Sequence, residues 1–279
     1  MSRARTRTAV LLGYLILIGL ALIYIYPFLI SMSGSMKTNA DATANPLSLL
    51  PQTWSLAAYE RLFTDVPMIL WAGNSAIVTI FVTLGRVFFD SLAGYALSRL
   101  NFRGRSVIFA GVITVMAVPS VVLLIPRFLI LKALGLFDTY AGMILPLLVD
   151  AGGIFIMKQF FESIPVSVEE AARIDGAGVF RTFWSVVLPM ARPALVTIFI
   201  FSFQGSWNEF SHFVVSRQSP ELNTLTTGVA SLVSGQLGAQ GNQFPLQLAA
   251  AVLMSIPVAV LFFIFQKRIM NTTEGAEKG

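Results

Sequence analysis

The side chains best suited to covalent or metal chemistry are almost missing from this 279-residue sequence. It contains no cysteine and a single histidine, His212. Without thiols the chain can form neither disulfides nor thiolate metal sites, and one imidazole cannot supply the three or four protein ligands of a zinc site. We therefore interpret His212 as an ordinary interfacial residue rather than as a metal ligand or a proton relay.

The sequence also excludes a nucleotide-binding loop of the Walker A type. No lysine follows a glycine, so the Gly-Lys pair of a Walker A phosphate-binding loop is missing. The sequence contains no recognisable set of nucleophile and base. We therefore expect a protein that is not an enzyme and holds no cofactor, and any ATP-driven function requires ATP and Mg²⁺ to be bound by a partner ATPase.

The composition places the chain in a lipid bilayer. Hydrophobic residues make up 56% of the sequence, charged residues only 12%, and the mean hydropathy is +0.76. A helix needs about 20 mostly apolar residues to cross roughly 30 Å of hydrocarbon. We predict an all-α integral membrane protein in which residues 1–279 form one transmembrane domain with six spans, at about 9–32, 68–93, 107–131, 141–161, 193–210 and 246–265. The first run is too long for the apolar region of a signal peptide.

The distribution of lysine and arginine predicts which loops face the cytoplasm, because short cytoplasmic loops retain positive charge. With the N-terminus inside, the inner side carries Arg3, Arg5, Arg7, Arg99, Arg103, Arg105, Lys158, Arg173, Arg181, Arg192, Lys267, Arg268 and Lys278. The outer side carries only Lys37, Arg61, Arg127, Lys132 and Arg217. We expect both termini in the cytoplasm. The net charge of +5 is a topology signal, and we predict no nucleic-acid partner.

Arg86, Asp90 and Asp150 are charged residues inside the predicted spans, where an isolated central charge costs at least about 2.5 kcal/mol. Arg86 and Asp90 lie four residues apart on the second span, a spacing that lets them pair on one helix face. We favour a helix-packing pair over a contact with a solute. Asp150 lies beside Gly152 and Gly153 with no neutralising group in its own helix turn, so we expect it to face a partner or water.

A polar segment at 165–189 separates the fourth and fifth predicted spans and has strong helix signals. Ser167 is a favourable N-cap, and Glu170 three residues later completes a capping box. Ala171 and Ala172 propagate the helix, and Gly176 supplies its end. We predict a short amphipathic helix outside the membrane.

The second half of this segment predicts another helix, so that the whole forms a helix-turn-helix elbow on the cytoplasmic side. Its apolar residues recur at helical spacing at Phe180, Phe183, Trp184 and Val187. Small residues allow a partner backbone to approach closely, and Glu169, Arg173 and Asp175 provide charged edges. From spacing alone, the elbow could equally be a connector between two spans.

A family resemblance decides between these alternatives. Glu170-Ala171-Ala172, Asp175-Gly176-Ala177 and Val187-Leu188-Pro189 resemble the EAA loop of ABC importer permeases, at the position where that family has it. Further matching residues are Lys37-Thr38, Leu62-Phe63, Asn74-Ser75, Ala93-Gly94-Tyr95-Ala96 with Arg99, Phe102-Arg103-Gly104-Arg105, Pro119, Leu124-Ile125-Pro126, Leu134-Gly135-Leu136 with Asp138-Thr139, Leu145-Pro146, Trp207-Asn208-Glu209-Phe210 and Gly275-Ala276-Glu277-Lys278-Gly279. The chain is most similar to the smaller second permease of maltose-type carbohydrate importers.

The resemblance implies a set of partners in a bacterial or archaeal plasma membrane. These are a second permease subunit that forms a heterodimer with this chain, two ATPase subunits that grip the elbow, and an extracytoplasmic sugar-binding protein. The implied ATPase-coupling residues are Glu170, Ala171, Ala172, Asp175 and Gly176, with Arg173 as a rim contact. The C-terminal tail could also reach the ATPases, although Glu277 replaces the small apolar residue common there.

Polar and aromatic side chains along the predicted spans are candidates for lining a sugar pathway. They are Asn74, Asp150, Gln204, Trp207, Asn208 and Glu209. Interhelical polar contacts together with an interfacial aromatic belt explain the same residues equally well. In maltose-type systems the partner permease can also hold most of the sugar contacts. The solute class remains open among monosaccharides, longer saccharides and glycerol phosphate.

An ion-coupled secondary transporter is the alternative from a different class. It needs ion-coupling carboxylates, for which Asp150 and Glu209 are candidates, and it usually has an internal repeat. We find no convincing repeat, and the elbow would have no role in such a protein.

Overall fold

The computed structural model describes residues 2–234 and 243–276, and within these ranges the chain forms helices joined by turns, without a β-strand. The longest helices are α1 (Ser2–Gly34), α4 (Met68–Arg99), α5 (Arg105–Met116), α8 (Ala151–Ser163), α12 (Arg192–Trp207) and α15 (Phe244–Ala276). The shorter helices are α2 (Asn39–Ala44), α3 (Ala57–Thr64), α6 (Leu124–Ala133), α7 (Tyr140–Ile144), α9 (Val166–Ile174), α10 (Val179–Thr182), α11 (Leu188–Met190), α13 (Ser211–Ser216) and α14 (Leu225–Ser234). The all-helical prediction is confirmed over this part of the chain.

Four helical segments of the described chain are long and apolar enough to cross a membrane unaided. They are Val10–Gly34, Met68–Arg99, Tyr140–Ser163 and Phe244–Gln266. Two further segments pass the same test only as bent pairs of helices. These are Arg105–Met116 with Ser120–Ala133, bent by 101°, and Val179–Met190 with Arg192–Trp207, bent by 80°. The six predicted spans therefore correspond to four clear crossings, one broken crossing, and α12, which passes the test only together with the preceding helical residues of the elbow.

The third predicted span, at 107–131, is not one straight helix as expected. Helix α5 ends at Met116, and a 3₁₀ turn over Ser120–Leu123 precedes α6. Pro119 stands at the break with an extended backbone (φ −59°, ψ 128°). Proline has no N–H to donate and disfavours the helical conformation of the residue before it, so an apolar run of sufficient length is nevertheless interrupted.

The fourth predicted span, at 141–161, is also segmented, and this changes the surroundings of Asp150. A 3₁₀ turn over Leu145–Leu147 follows α7, and Asp150 is the N-cap of α8. Its carboxylate accepts the amide proton of Gly153 at 2.9 Å. The expectation that nothing in its own helix turn neutralises Asp150 is therefore wrong, because the free N–H groups of a first helical turn are natural partners for a carboxylate.

Arg86 and Asp90 do not form the expected pair. In the described structure the Nε of Arg86 donates to the carbonyl of Leu147 at 2.7 Å, and Oδ1 of Asp90 accepts the amide proton of Asp150 at 3.0 Å. Each residue bonds a main-chain group freed by the break between α7 and α8. They serve helix packing, as favoured from the sequence, but through the neighbouring segment rather than through each other.

The chain divides into two compact units. One comprises Met1–Ile69 and Val229–Pro257, and the other Leu70–Gly228 and Val258–Gly279. In the first unit the buried ammonium of Lys37 donates to the carbonyls of Asn45 and Ser48, both at 2.7 Å. The second unit contains the 165–189 segment and its core of apolar side chains. The C-terminal residues 277–279, including Glu277 of the expected ATPase contact, lie outside the described residues.

Candidate functional site

Helix α9 begins two residues earlier than the sequence signals predict. Its N-cap is Pro165, which makes no side-chain capping bond, and Val166 is the first helical residue. Ser167 and Glu170 therefore do not form the predicted capping box. A proline pre-sets a backbone conformation that suits a helix start, and this places Ser167 inside the first turn, where its hydroxyl cannot act as the cap.

The end of α9 is formed as the glycine signal predicts. Gly176 has a φ of +79°, in the left-handed region that favours glycine. The amide of Gly176 donates to the carbonyl of Arg173 at 3.0 Å, and the amide of Ala177 donates to that of Ala172 at 2.9 Å. This pair of bonds is a Schellman motif. Gly178 then caps α10 in an extended conformation, so two short helices are separated by a glycine turn.

The inner side of α9 consists of Val168, Glu169 and Ala172. Glu169 is 2% exposed and Ala172 is 8% exposed, while Val168 packs against the neighbouring apolar core. Ala172, expected as an ATPase-coupling residue, is therefore not on the outward side of α9 in this structure, and Glu169 is not the exposed charged edge that was expected. Positions 168, 169 and 172 share one helix face, and that face points into the protein.

Arg99, the last residue of α4, holds the elbow in place. Its Nη2 donates to the carbonyls of Phe161 and Ile164, at the C-terminal end of α8. Its Nε lies 3.1 Å from Oε1 of Glu169 in α9. One buried guanidinium thus joins the ends of three helices, and a cation at a helix C-terminus is favoured by the free carbonyls there.

The Arg99–Glu169 contact is an ion pair with poor hydrogen-bond geometry. Both side chains are almost fully buried, yet neither Arg99 Nε nor Glu169 Oε1 has a hydrogen-bond partner that meets angular criteria. The other oxygen of Glu169 accepts a long bond of 3.4 Å from the hydroxyl of Tyr95 and lies 4.0 Å from Nη2 of Arg173. Removing either partner would leave a buried charge uncompensated.

Aromatic side chains form part of the apolar core against which the elbow packs. The rings of Tyr95 and Phe183 have centroids 4.9 Å apart, and Tyr95 also meets Phe161 edge-on at 5.8 Å. Phe183 begins a π-helical turn over Phe183–Val187, after which α11 and α12 follow. At Gly94, a Cβ would come within 2.7 Å of Cβ of Met157, so the absence of a side chain allows α4 and α8 to pack closely. The elbow therefore rests on a rigid support.

The outward side of the elbow is rich in exposed apolar and charged groups. Glu170, Ala171, Arg173, Asp175 and Gly176 are exposed. Ile174 is 86% exposed and Phe180 is 75% exposed. Large exposed apolar side chains beside charged ones are typical of a surface that a partner covers.

Asn74, one of the expected pathway residues, is buried, and both the nitrogen and the oxygen of its side-chain amide are hydrogen-bonded. It is 1% exposed, and its Nδ2 donates to the carbonyls of Glu221 and Asn223, both at 2.7 Å. Its Oδ1 accepts a bond from the hydroxyl of Tyr140. Asn74 fastens a turn to α4, so the expectation that it lines an open pathway does not fit this structure.

The other expected pathway residues collect at the end of α12. Trp207 is 6% exposed and stacks on Phe203 with ring centroids 5.7 Å apart. Asn208 is exposed, Gln204 and Glu209 are half-buried, and Oε1 of Glu209 accepts the amide proton of His212 at 2.8 Å. Asn208 and Glu209 line a cavity of about 250 Å³. Trp207 packs against Phe203, whereas Asn208 and Glu209 present polar groups to the cavity.

His212 is a core residue, not an interfacial one. It is 0% exposed, its Nε2 lies 3.2 Å from the carbonyl of Met143, and its Nδ1 has no hydrogen-bond partner. Burial lowers the pKa of the imidazole, and the nearby Arg127 charge lowers it further. The ring is therefore neutral at physiological pH.

The anchoring role of Glu169 and Arg99 is the part of the site that sequence reasoning missed. Of the two adjacent acids in α9, Glu169 is buried and Glu170 is exposed. A signal was present, because stepping back three and four residues from Ala172 reaches Glu169 and Val168 on the same face. Without the helix orientation, however, either acid could have been the inner one.

Known proteins are similar to this chain over most of its length. Residues 90–272 match the family model described as binding-protein-dependent transport system inner membrane component. The chain is 32% identical over 264 residues to the arabinooligosaccharides transport system permease protein AraQ of Bacillus subtilis (strain 168), covering 93% of this chain and 92% of that relative. It is 35% identical over 258 residues to the sulfoquinovosyl glycerol transport system permease protein SmoH of Agrobacterium fabrum, covering 91% of this chain and 89% of that relative.

A solved structure has the same fold. It is described as the crystal structure of a bacterial ABC transporter involved in the import of the acidic polysaccharide alginate. One chain of it superposes with a TM-score of 0.84 at 29% identity, covering 96% of this chain and 98% of that chain. The similarity therefore extends through the elbow and the helices that support it.

Proposed function

The chain belongs to the family of binding-protein-dependent transport system inner membrane components, and from this premise we propose that it is the permease subunit of an ATP-driven sugar importer. It forms half of a translocation pathway for a sugar or related polyol, and partner subunits hydrolyse the ATP. The similar proteins support this proposal, since their names give arabinooligosaccharides, sulfoquinovosyl glycerol and alginate as the transported solutes.

The observation that carries the proposal is the two-sided construction of α9. Its inner side is tied to α4 through Glu169 and Arg99, while its outer side exposes Glu170, Ala171 and Ile174. A helix that served only as a connector would have no need of an 86% exposed isoleucine beside charged side chains. The elbow is a docking surface mounted directly on the membrane helices.

In this proposal, force passes from the ATPase to the membrane helices through the contact of Glu169 with Arg99. An ATPase cleft grips the exposed side of α9, with Glu170, Ala171, Asp175 and Gly176 as contacts and Arg173 at the rim. Movement of α9 is transmitted by Glu169 to Arg99, and so to the end of α4 and the C-terminal end of α8. Ala172 contributes by allowing α9 to pack closely on its support.

The remaining partners follow from the mode of transport. A second permease subunit completes the pathway as a heterodimer, two ATPase subunits bind ATP and Mg²⁺, and an extracytoplasmic sugar-binding protein delivers the solute. The assembly lies in the plasma membrane of a bacterium or archaeon, with both termini and the elbow on the cytoplasmic side. Residues 1–279 act as a single transmembrane domain within it.

Four of the expected pathway residues keep a role in the proposed route. Asn208 and Glu209 line a cavity, Gln204 lies one helical turn before Asn208, and Asp150 caps α8 at the break in its span. Trp207 supports them by packing. An ion-coupled secondary transporter is not retained, because the family consists of components of binding-protein-dependent systems.

Reconstitution tests this function. The complete assembly in proteoliposomes should take up radiolabelled sugar when ATP and Mg²⁺ are supplied to the ATPase side, with no proton or sodium gradient. Omitting the ATPase subunits should abolish uptake. Uptake by the permeases alone, driven by an ion gradient, would contradict the proposal.

A further inference from the structure

A small cavity of about 250 Å³ lies between the broken third crossing and the end of α12. We call it the Arg127 cavity, and its polar lining consists of Ser120, Arg127, Asn208, Glu209 and Ser211. Gly205 forms part of the wall and contributes no side chain. The volume is slightly below the roughly 300–1,000 Å³ of typical ligand sites, so the cavity has room for one sugar-sized group and not for a whole oligosaccharide.

Arg127 is a half-buried cation without a partner in the part of the chain that the structure describes. Among the described residues, Arg127 has neither a hydrogen bond nor a carboxylate within 4.0 Å. A guanidinium offers five N–H donors in a planar fork that matches a carboxylate, sulfonate or phosphate.

Glu209, the carboxylate in the same cavity, forms no ion pair with Arg127 within 4.0 Å. One oxygen of Glu209 is bonded to the amide of His212 at 2.8 Å, and its main-chain carbonyl accepts the hydroxyl of Thr226 at 2.7 Å. These bonds hold Glu209 against α13 and α14 rather than against Arg127. The Arg127 charge is instead felt by His212, whose protonation it disfavours.

A second guanidinium approaches the same wall from α4. A Cβ added to Gly205 would lie 3.5 Å from Nη1 of Arg86. Arg86 uses its Nε for the carbonyl of Leu147, and none of its terminal N–H groups makes a hydrogen bond among the described residues. Two cations with free donors therefore stand near Gly205. Oε1 of Glu209 is bonded elsewhere, and Asp90 interacts electrostatically with Arg86 without forming an ion pair.

We propose that the Arg127 cavity is a subsite for the negatively charged group of an acidic saccharide, with Arg127 as its main ligand and Arg86 as a second cation. The proposal rests on the proposed sugar import and narrows its solute class to saccharides that carry a carboxylate, sulfonate or phosphate. Ser120 and Ser211 add hydroxyl donors, and the bare Gly205 leaves the space between the two cations open.

Equilibrium binding to the complete purified importer in nanodiscs, without ATP, tests this assignment. The probes are trigalacturonate, its methyl ester, which keeps the rings and removes the charge, glucose 6-phosphate, and neutral maltotriose. Since hydrogen bonds to charged groups are the strong ones, we expect trigalacturonate to bind about tenfold tighter than its ester. Arg127→Gln should abolish this preference, and Arg86→Gln should reduce it.

Lys132→Gln is the matched control, because it removes an exposed positive charge from α6 outside the cavity. It should leave the preference for the charged probe unchanged. The proposal is overturned if neither anionic probe binds, if the ester binds as tightly as the acid, or if Lys132→Gln has the same effect as Arg127→Gln. Charge-selective binding in an assembly that needs no ATP for uptake would instead contradict the importer function and leave the subsite standing.

Discussion

The Nε of Arg99 lies 3.1 Å from Oε1 of Glu169, and both side chains are almost completely buried. Arg99 ends the long helix α4, and Glu169 lies in the first turns of the short helix α9. The same guanidinium bonds two carbonyls at the end of α8. A displacement of α9 must therefore move these helices or break a buried ion pair, and this is the physical basis of the coupling that we propose.

Glu169→Ala should damage both stability and coupling. It leaves the Arg99 guanidinium buried without its carboxylate, which typically destabilises a protein by about 3 kcal/mol or more. We expect a lower melting temperature of the purified assembly and less sugar imported per ATP hydrolysed. Glu170→Ala is the matched control, because the neighbouring glutamate is exposed and should leave the melting temperature unchanged. Equal melting temperatures for the two variants would contradict an anchoring role for Glu169.

Ala171→Glu should separate docking from folding. Ala171 is exposed, so a glutamate there adds bulk and charge to the docking surface without disturbing the core. We expect normal thermal stability of the permease pair and loss of ATPase co-purification. Ala172→Glu should behave differently, since Ala172 is 8% exposed and a buried glutamate would destabilise the elbow itself. If Ala171→Glu retains the ATPase subunits in full, the outer face is not the docking surface.

Gly176→Ala should weaken the turn of the elbow. The φ of Gly176 is +79°, and an L-residue in this region costs about 1 kcal/mol relative to glycine. The expected result is a small drop in melting temperature and faster proteolysis at 165–189. Gly178→Ala is the control, because Gly178 has a φ of −73° and nothing lies within 4 Å of an added Cβ. A Gly178→Ala variant as unstable as Gly176→Ala would refute the turn argument.

Gly153→Ala should disrupt the packing of α8 on α4. A Cβ at this position would lie 2.1 Å from Oδ2 of the buried Asp90, so one of the two helices must shift. Overpacking of this kind typically costs about 1–3 kcal/mol. We expect reduced yield and a lower melting temperature for the assembled complex. Gly111→Ala, where an added Cβ meets nothing within 4 Å, should have no such effect, and a loss of stability there equal to that of Gly153→Ala would contradict the explanation.

The sequence is informative about the membrane crossings because apolar length is a strong and nearly context-free signal. Four crossings are recovered from it, while the third fails as a straight helix because Pro119 interrupts an otherwise continuous apolar run. Asp150 shows the same limit. Its charge is visible in the sequence, but its role as the N-cap of α8 depends on a break that apolar periodicity does not reveal.

The position of the candidate site in the sequence could be predicted, but the side of α9 that packs against the protein could not. The glycine end at Gly176 follows from local backbone chemistry and forms as expected. The start of α9 could not be predicted in the same way, because both Pro165 and Ser167 are acceptable start signals and only the packed structure selects between them. Which of Glu169 and Glu170 turns inward depends on Arg99, some 70 residues away in the sequence. Such a long-range pairing cannot be read from local spacing.

Site-directed crosslinking at Ala171 tests the central claim most directly. The chain has no cysteine, so Ala171→Cys provides a unique thiol for a photoactivatable maleimide in an assembly whose other subunits are cysteine-free. We predict a covalent adduct with the ATPase subunit, and none from Asn101→Cys, which is exposed in the turn between α4 and α5. If the thiol at position 171 reacts freely with a water-soluble maleimide in the nucleotide-free, ATP-bound and trapped states, and never forms that adduct, the elbow does not couple this chain to an ATPase.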